Sequence, residues 1–153
     1  MRGNPPSLDW GKGAGVSETP RFSAVTDTVT ISLPAQSAYV SVLRTATAAL
    51  AARLDFTLED IEDLRIAVDE ACALLLTSAV PGTQITCAFE LGGEAIEVRV
   101  STVTEDGRRP AQDTFAWTVL AALAGEVDSS VEANRVTLRL RKARPDRRTA
   151  VRT

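Results

Sequence analysis

The chain has 153 residues, 44% of them hydrophobic and 24% charged, which is the size and make-up of one globular domain. It contains no histidine, which excludes the usual zinc sites, the Ser-His-Asp triad and a phosphohistidine relay. The net charge of −3 conceals an acidic body, with 10 basic and 17 acidic side chains in residues 25–142, so nucleic acid is not the expected main partner. No apolar run reaches the roughly 18 residues that cross a membrane and no signal peptide is recognised, so we expect a cytoplasmic protein without a membrane partner.

The two ends of the chain differ from its middle. Residues 1–24 are rich in Gly, Pro and Ser and lack periodicity, which predicts a disordered segment. The glycines from Gly11 to Gly15 superficially suggest a phosphate-binding loop, but such a loop needs a buried strand before it and a helix after it. Residues 143–153 predict a disordered basic tail, which leaves residues 25–142 as the single domain.

The first predicted elements are a strand and two helices. Val29, Ile31 and Leu33 alternate with polar residues, which predicts a half-buried strand. A helix follows Pro34, and its apolar stripe is predicted to comprise Tyr39, Val42, Leu43, Ala46, Ala49, Leu50 and Leu54. A second helix is expected to begin at the N-cap Thr57 and to end at Pro81-Gly82.

A β-hairpin comes next, followed by a third helix and two strands. If Gly92-Gly93 is a two-residue turn, Phe89 faces Ile96, Cys87 faces Val98 and Ile85 faces Val100. The third helix is predicted around residues 113–123, with Gly125 ending it, and strands follow near Val131 and from Val136 to Leu140. Because every strand alternates, we predict an α+β fold: a two-layer sandwich in the order β-α-α-β-β-α-β-β, with a mixed sheet and the helices on one face.

The polar face of that sheet would display Glu97 and Arg99 together with Arg135, Arg139 and Arg141. The simplest interpretation is a solvated face whose charges compensate one another, and a docking surface is the alternative. The two cysteines, Cys72 and Cys87, lie in apolar stretches without CxxC spacing, so we expect buried, reduced thiols and no metal site.

The second helix carries the candidate chemistry. Asp69 and Glu70 interrupt an apolar stretch, and Glu70 has Ile66 and Leu74 one turn away on either side. Partial burial raises the pKa of a carboxyl group and suits a general base, so Glu70 is the candidate catalytic residue. A boundary glutamate that reaches out to water explains the same pattern equally well.

The segment from Asp63 to Cys72, which reads DLRIAVDEAC, resembles the stretch leading into the N box of bacterial anti-sigma factors of the RsbW type. These are small members of the GHKL, or histidine-kinase-like, ATPase superfamily, and the predicted element order over residues 27–142 agrees with theirs. The resemblance implies binding of a sigma factor through Arg44, an antagonist (anti-anti-sigma) protein as a second partner, a role in stress response and frequent homodimers. It also implies that ATP with Mg²⁺ is bound and that a serine of the antagonist is phosphorylated.

Three departures from the family pattern weigh against that kinase activity. The Asn of the N box, a ligand of the metal ion, falls on Leu74, which offers no oxygen. The family's Asp-x-Gly-x-Gly box should directly follow the third strand, but Asp106-Gly107 comes five residues late and lacks the second glycine. No glycine lies between Gly107 and Gly125 to form a phosphate cradle at the start of the third helix.

We therefore predict an anti-sigma factor that acts by stoichiometric binding, with ATP and Mg²⁺ binding lost or weakened, and no enzyme. The alternative is an active serine/threonine kinase in which Glu70 is the general base and Glu70, Asp106 and Gly107 hold the nucleotide. A third interpretation is a small sensor domain that uses the vacated pocket for another ligand.

Overall fold

The structure, a computed structural model, describes residues 26–146. Strand β1 (Asp27–Pro34) leads through a 3-10 turn (Ser37–Tyr39) into helix α1 (Val40–Arg53) and helix α2 (Leu58–Leu76). The rest comprises strands β2 (Gln84–Leu91) and β3 (Ala95–Val103), helix α3 (Phe115–Ala124), and strands β4 (Glu126–Glu132) and β5 (Arg135–Ala143). The predicted order of elements is confirmed.

The five strands form one sheet in the order β1-β2-β3-β5-β4, and the helices cover one of its faces. Every neighbouring pair is antiparallel, so the α+β sandwich is confirmed but its sheet is not mixed. A parallel pair needs a crossover connection, whereas here β2–β3 and β4–β5 are joined by short turns and β1 pairs antiparallel with β2. The core lies between the sheet and the helices, and its largest fully buried side chains include Phe89, Leu43, Leu64, Leu75, Ile85 and Ile96.

The predicted apolar stripe of α1 is confirmed in part, because Leu43 is fully buried and Ala46, Leu50 and Leu54 pack against the core. Its buried residues are Val40, Leu43, Thr47 and Ala51, whereas Val42 is 45% exposed. The most deeply buried side of α1 is therefore rotated relative to the predicted stripe, although Leu43 belongs to both. The pattern was misleading because α1 is apolar on several sides and because Thr47, although polar, is fully buried with its hydroxyl donating to the carbonyl of Leu43 at 2.7 Å.

Helix α2 begins as predicted and ends earlier than predicted. The Thr57 hydroxyl accepts a hydrogen bond from the Asp60 amide at 3.1 Å, which is the N-cap interaction. The helix ends at Leu76, five residues before Pro81, because the chain turns there to meet the end of β3, where the Val80 amide donates to the Val103 carbonyl at 2.9 Å.

The β2–β3 hairpin has a register two residues away from the predicted one. Phe89 pairs with Val98, Cys87 pairs with Val100, and Leu91 pairs with Ile96. The Gly92 amide donates to the Ala95 carbonyl at 3.1 Å, so the turn lies at Gly93-Glu94 and not at Gly92-Gly93. A shift of two residues keeps every side chain on its face of the sheet. The apolar pairing therefore fits both registers, and the pattern could not distinguish them.

The end of the domain lies slightly beyond the predicted boundary. Strand β5 continues to Ala143, and the Arg144 amide donates to the Glu94 carbonyl at 2.8 Å, which ties the first residues of the predicted tail to the hairpin. The predicted N-terminal disorder, the glycines from Gly11 to Gly15 and the tail after residue 146 lie outside the described residues.

Candidate functional site

A cavity of about 420 Å³ lies where the C-terminal end of α2, the end of β3 and the segment before α3 meet. Its polar lining comprises Thr77, Ser78, Thr104, Asp106, Arg108 and Arg109, with Thr114 at the start of α3. Its apolar lining comprises Leu74, Leu75, Pro110 and Ala111. This volume falls in the range of small-molecule pockets in proteins.

Asp106 and Gly107 form a tight turn at the rim of this cavity. The Asp106 carboxylate lines the cavity and accepts a hydrogen bond from the Arg108 amide at 3.1 Å, which stabilises the turn. Gly107 has a φ of +59°, and a Cβ there would collide with the Asn134 side chain, so this position requires glycine for a structural reason. The Gly107 amide donates to the Thr104 hydroxyl and is not directed at a ligand.

Glu70 lies on α2 one turn before Leu74 and is half-buried, as its apolar neighbours predicted. It does not belong to the lining of the cavity, whereas Leu74 does. Of the residues predicted to hold a nucleotide, the structure therefore places Asp106 in the cavity, Gly107 in the turn that positions it, and Glu70 outside the lining.

Arg44 is paired within the chain. Its Nη2 donates to Asp69 Oδ1 at 2.8 Å, which joins α1 to α2. The two side chains remain 38% and 40% exposed. The sequence singled out both residues but did not connect them, because they are 25 positions apart and on different helices.

The thiols of Cys72 and Cys87 are free and buried, as predicted. Burial, followed by the nearby Asp69 carboxylate, raises the pKa of Cys72 to about 12, while the Arg44 guanidinium acts in the opposite direction. Burial also raises the pKa of Cys87. Thiols of this kind are poor nucleophiles and poor metal ligands at neutral pH.

The outer face of the sheet carries the predicted compensated charges. Glu97 accepts from Arg139 at 3.1 Å and lies 3.5 Å from Arg99, and Arg99 also pairs with Glu90. Arg139 pairs in addition with Asp128 at 2.6 Å. The hydrogen bond to Glu97, followed by the other acidic contacts, raises the pKa of the Arg139 guanidinium.

Sequence reasoning missed Arg108 and Arg109. Both line the cavity, both are exposed, and neither forms an ion pair within residues 26–146. The available signal was the Arg-Arg-Pro sequence in the polar loop before α3, although nothing in the sequence showed which residues the loop would cover.

In residues 26–146 no group of three or more His, Cys, Asp or Glu side chains is arranged to hold a metal ion. None of the helices there is long and apolar enough to cross a membrane.

An antiparallel sheet covered on one face by three helices, with a cavity beyond the end of the second helix, defines a protein of the histidine-kinase-like ATPase class. The chain belongs to the family described as the histidine kinase-like ATPase domain, whose model matches residues 33–142. This match covers all three helices and strands β2 to β5 apart from Ala143, but only the last two residues of β1.

Several relatives carry the name RsbW, which confirms the resemblance found in the sequence. Anti-sigma-F factor RsbW of Mycobacterium tuberculosis is 30% identical over 101 residues, which are 66% of this chain and 60% of the relative. Serine-protein kinase RsbW of Halalkalibacterium halodurans is 34% identical over 90 residues, or 58% of this chain and 54% of the relative. Serine-protein kinase RsbW of Listeria innocua is 40% identical over 78 residues, which are 49% of this chain and 50% of the relative. The chain thus spans between half and three fifths of the length of these relatives.

A solved structure shows the same fold. The crystal structure of the RsbU and RsbW domains of a protein from Mycobacterium tuberculosis matches with a TM-score of 0.62 and 19% sequence identity. The match covers 79% of this chain and 34% of that one.

Proposed function

We propose that this protein is an anti-sigma factor that sequesters a sigma factor by stoichiometric binding, and so represses the transcription which that sigma factor directs. The observation that carries the proposal is the likeness to RsbW proteins. One of them, named an anti-sigma factor, matches 66% of the chain. An antagonist protein that competes for the same surface would reverse the repression. This role would be exercised in the cytoplasm, where sigma factors meet RNA polymerase.

The chemistry of the cavity supports a form of sigma-factor binding that requires neither Mg²⁺ nor ATP. Magnesium requires oxygen ligands, and the position where the family has its metal-binding Asn is occupied by Leu74. Asp106 is the one carboxylate that lines the cavity among the described residues, and it is engaged in its own turn. Phosphoryl transfer depends on a metal ion to neutralise charge on the phosphates, so this lining supports sequestration rather than catalysis.

The exposed side of α1 supports a protein contact. Val42, Ala46 and Ala49, with two neighbouring polar residues, line a shallow, mostly apolar depression of about 420 Å³, which we call the α1 surface. Arg44 lies on the flank of the same helix with part of its guanidinium exposed. An exposed apolar patch of this kind is typical of protein-binding surfaces, and we place the sigma factor on the α1 surface.

Size-exclusion chromatography of the full chain with each sigma factor of its source organism, in EDTA and without nucleotide, tests the proposal. We expect one sigma factor to co-elute with it. Val42→Asp should abolish this complex, because it buries an unpaired charge in the interface. Leu58→Asp is the matched control, since Leu58 is 86% exposed but lies outside the α1 surface. Failure to bind any of the sigma factors would overturn the proposal.

The second candidate is an active serine/threonine kinase acting on the antagonist. It is favoured by the half-buried Glu70 and by the relatives that are named serine-protein kinases. Calorimetry with ATP and Mg²⁺, followed by a phosphate-transfer assay with the antagonist, separates the two functions. Transfer that Glu70→Gln abolishes would establish the kinase, whereas the absence of both heat and transfer would remove it.

A further inference from the structure

Helix α3 exposes apolar side chains on the side that faces away from the core. All of its ten residues except Thr118 are apolar, yet its buried residues are Trp117, Leu120 and Ala124, on one side only. A helix that is apolar on every side is normally covered on every side. The opposite side follows the helical spacing i, i+3, i+4 and i+7, and we call it the α3 surface: Phe115, Thr118, Val119 and Ala122.

The composition of the α3 surface is that of a contact with protein. Phe115 is 83% exposed, although aromatic side chains of this size are usually covered. The polar residue of this surface, Thr118, donates its hydroxyl to the Thr114 carbonyl at 3.2 Å, within the helix itself. Exposed apolar patches of this kind mark interaction sites, and aromatic residues are enriched at their centres.

Two unpaired cations lie beside this surface. Arg108 and Arg109 line the same cavity as Thr114, the N-cap of α3, which precedes Phe115 directly. Both are exposed, and within residues 26–146 neither guanidinium forms an ion pair. They are therefore not paired with the carboxylates of their own loop, which are those of Glu105, Asp106 and Asp113. Each guanidinium can take a carboxylate of a partner in a two-pronged hydrogen bond.

The charge of the domain decides between a protein and a lipid surface. Arginines beside an exposed aromatic ring also occur in proteins that bind anionic membranes. Residues 25–142 carry 17 acidic and 10 basic side chains, so an extended anionic surface would repel the domain. A protein segment can instead place carboxylates at the two arginines alone. We propose that the α3 surface, together with Arg108 and Arg109, binds a segment of a partner protein that combines apolar side chains with carboxylates.

This contact is separate from the one proposed for the sigma factor. Helix α2 packs against both α1 and α3, so the α1 surface and the α3 surface lie on either side of it. The inference therefore does not rest on the sigma-factor proposal. Phe115→Ala should leave the co-elution with the sigma factor unchanged, which keeps failure of one proposal distinguishable from failure of the other.

Site-specific photo-crosslinking in the source organism identifies the partner. The full chain carries a benzophenone side chain at position 115, or at position 58 as the control, because Leu58 is 86% exposed and lies at the start of α2. We expect an adduct with one protein from position 115 only, through a segment that contains apolar residues and at least two carboxylates. The absence of an adduct, an adduct with the sigma factor or with a second copy of this chain, or a segment without carboxylates would each overturn the proposal.

Surface plasmon resonance with the purified partner then tests the chemistry of the contact. Phe115→Ala and Arg108→Glu should each raise the dissociation constant at least about tenfold, and Leu58→Ala should leave it unchanged. Replacing the crosslinked carboxylate of the partner by lysine should restore binding to the Arg108→Glu variant. All three side chains are exposed, so circular dichroism should show an unaltered fold. Undiminished binding by both variants would contradict the proposal, as would sedimentation of the chain with phosphatidylglycerol vesicles that Phe115→Ala abolishes.

Discussion

Arg44 and Asp69 illustrate how the fold assigns a role to a single side chain. The resemblance to RsbW-type anti-sigma factors implied a partner contact for Arg44, and the structure places its guanidinium 2.8 Å from Asp69 with both groups partly exposed. An ion pair this exposed stabilises the fold by at most about 1 kcal/mol. The pair uses one N–H group of the guanidinium, so its other N–H groups could bond a carboxylate of the proposed sigma factor.

Replacement of Arg44 tests that role. Arg44→Lys keeps the charge but loses the planar fork, so we expect the complex with the sigma factor to weaken about tenfold. The free energy of unfolding should change by less than about 1 kcal/mol. Arg53→Lys on the same helix is the control, and surface plasmon resonance measures both. Equal affinity for the two variants would contradict a contact through Arg44.

The reactivity of the two cysteines tests whether these single side chains are buried. Burial raises the pKa of Cys72 to about 12 and raises that of Cys87 as well, so the thiolate is rare in the native state at about pH 8. We expect a colorimetric thiol reagent to label neither cysteine in the folded chain and both in urea. The raised pKa also means that the native state loses stability as the pH rises above the ordinary thiol value of 9.0 towards 12. Rapid labelling under native conditions would show that the helix–sheet interface opens.

At the scale of the element, the orientation of α1 decides which surface is available to partners. Val40 is 8% exposed and Val42 is 45% exposed, although the apolar pattern assigned Val42 to the core and omitted Val40. Leu43 lies in both stripes and is fully buried. Packing against α2 and the sheet selected one rotation of a helix that is apolar on several sides, and that choice created the α1 surface.

A matched pair of substitutions measures this rotation. Val40→Ala should reduce the free energy of unfolding by about 2 kcal/mol, because it removes buried methyl groups and leaves a cavity. Val42→Ala removes the same atoms from an exposed site and should change it by less than about 0.5 kcal/mol. Urea denaturation followed by circular dichroism compares them. The reverse order of effects would mean that the predicted stripe is the one that faces the core.

At the scale of the whole molecule, the sheet, the three helices and their core all lie within residues 26–146. The outer face of the sheet is occupied by a ladder of alternating charges centred on Glu97 and Arg139. Such a face favours water, because its charges compensate one another. The α1 surface, the α3 surface and the cavity beyond α2 are therefore candidate recognition surfaces of this domain.

Truncation tests the extent of the domain. A fragment of residues 26–146 should unfold with a free energy within about 0.5 kcal/mol of that of the full chain, since the predicted disordered ends would contribute no packing. A fragment of residues 35–146 is the control. It lacks β1, which pairs with β2 along eight residues, and should be unfolded or strongly destabilised. A loss above about 1 kcal/mol in the longer fragment would show that the ends pack on the domain.

The parts of the fold that depend on neighbours along the chain were predictable. Alternation in β2, β3 and β5, the Thr57 cap and the burial of both cysteines follow from period, capping and hydrophobicity, and all are confirmed. The hairpin register was wrong by two residues because a shift of two preserves every inward and outward side chain. The same limit applies to α1, where several faces were apolar enough to be buried.

The sequence by itself determined the class of this protein, an α+β fold of the histidine-kinase-like ATPase family, and it predicted that Leu74 stands where the family has a metal ligand. Only the tertiary structure decided that Asp69 holds Arg44, that Glu70 lies outside the cavity lining, and that Arg108 and Arg109 lie within it. The physical reason is the distance along the chain over which each kind of interaction acts. Local periodicity reports whether a residue is buried, whereas the identity of its neighbour depends on packing between segments that are far apart in the chain.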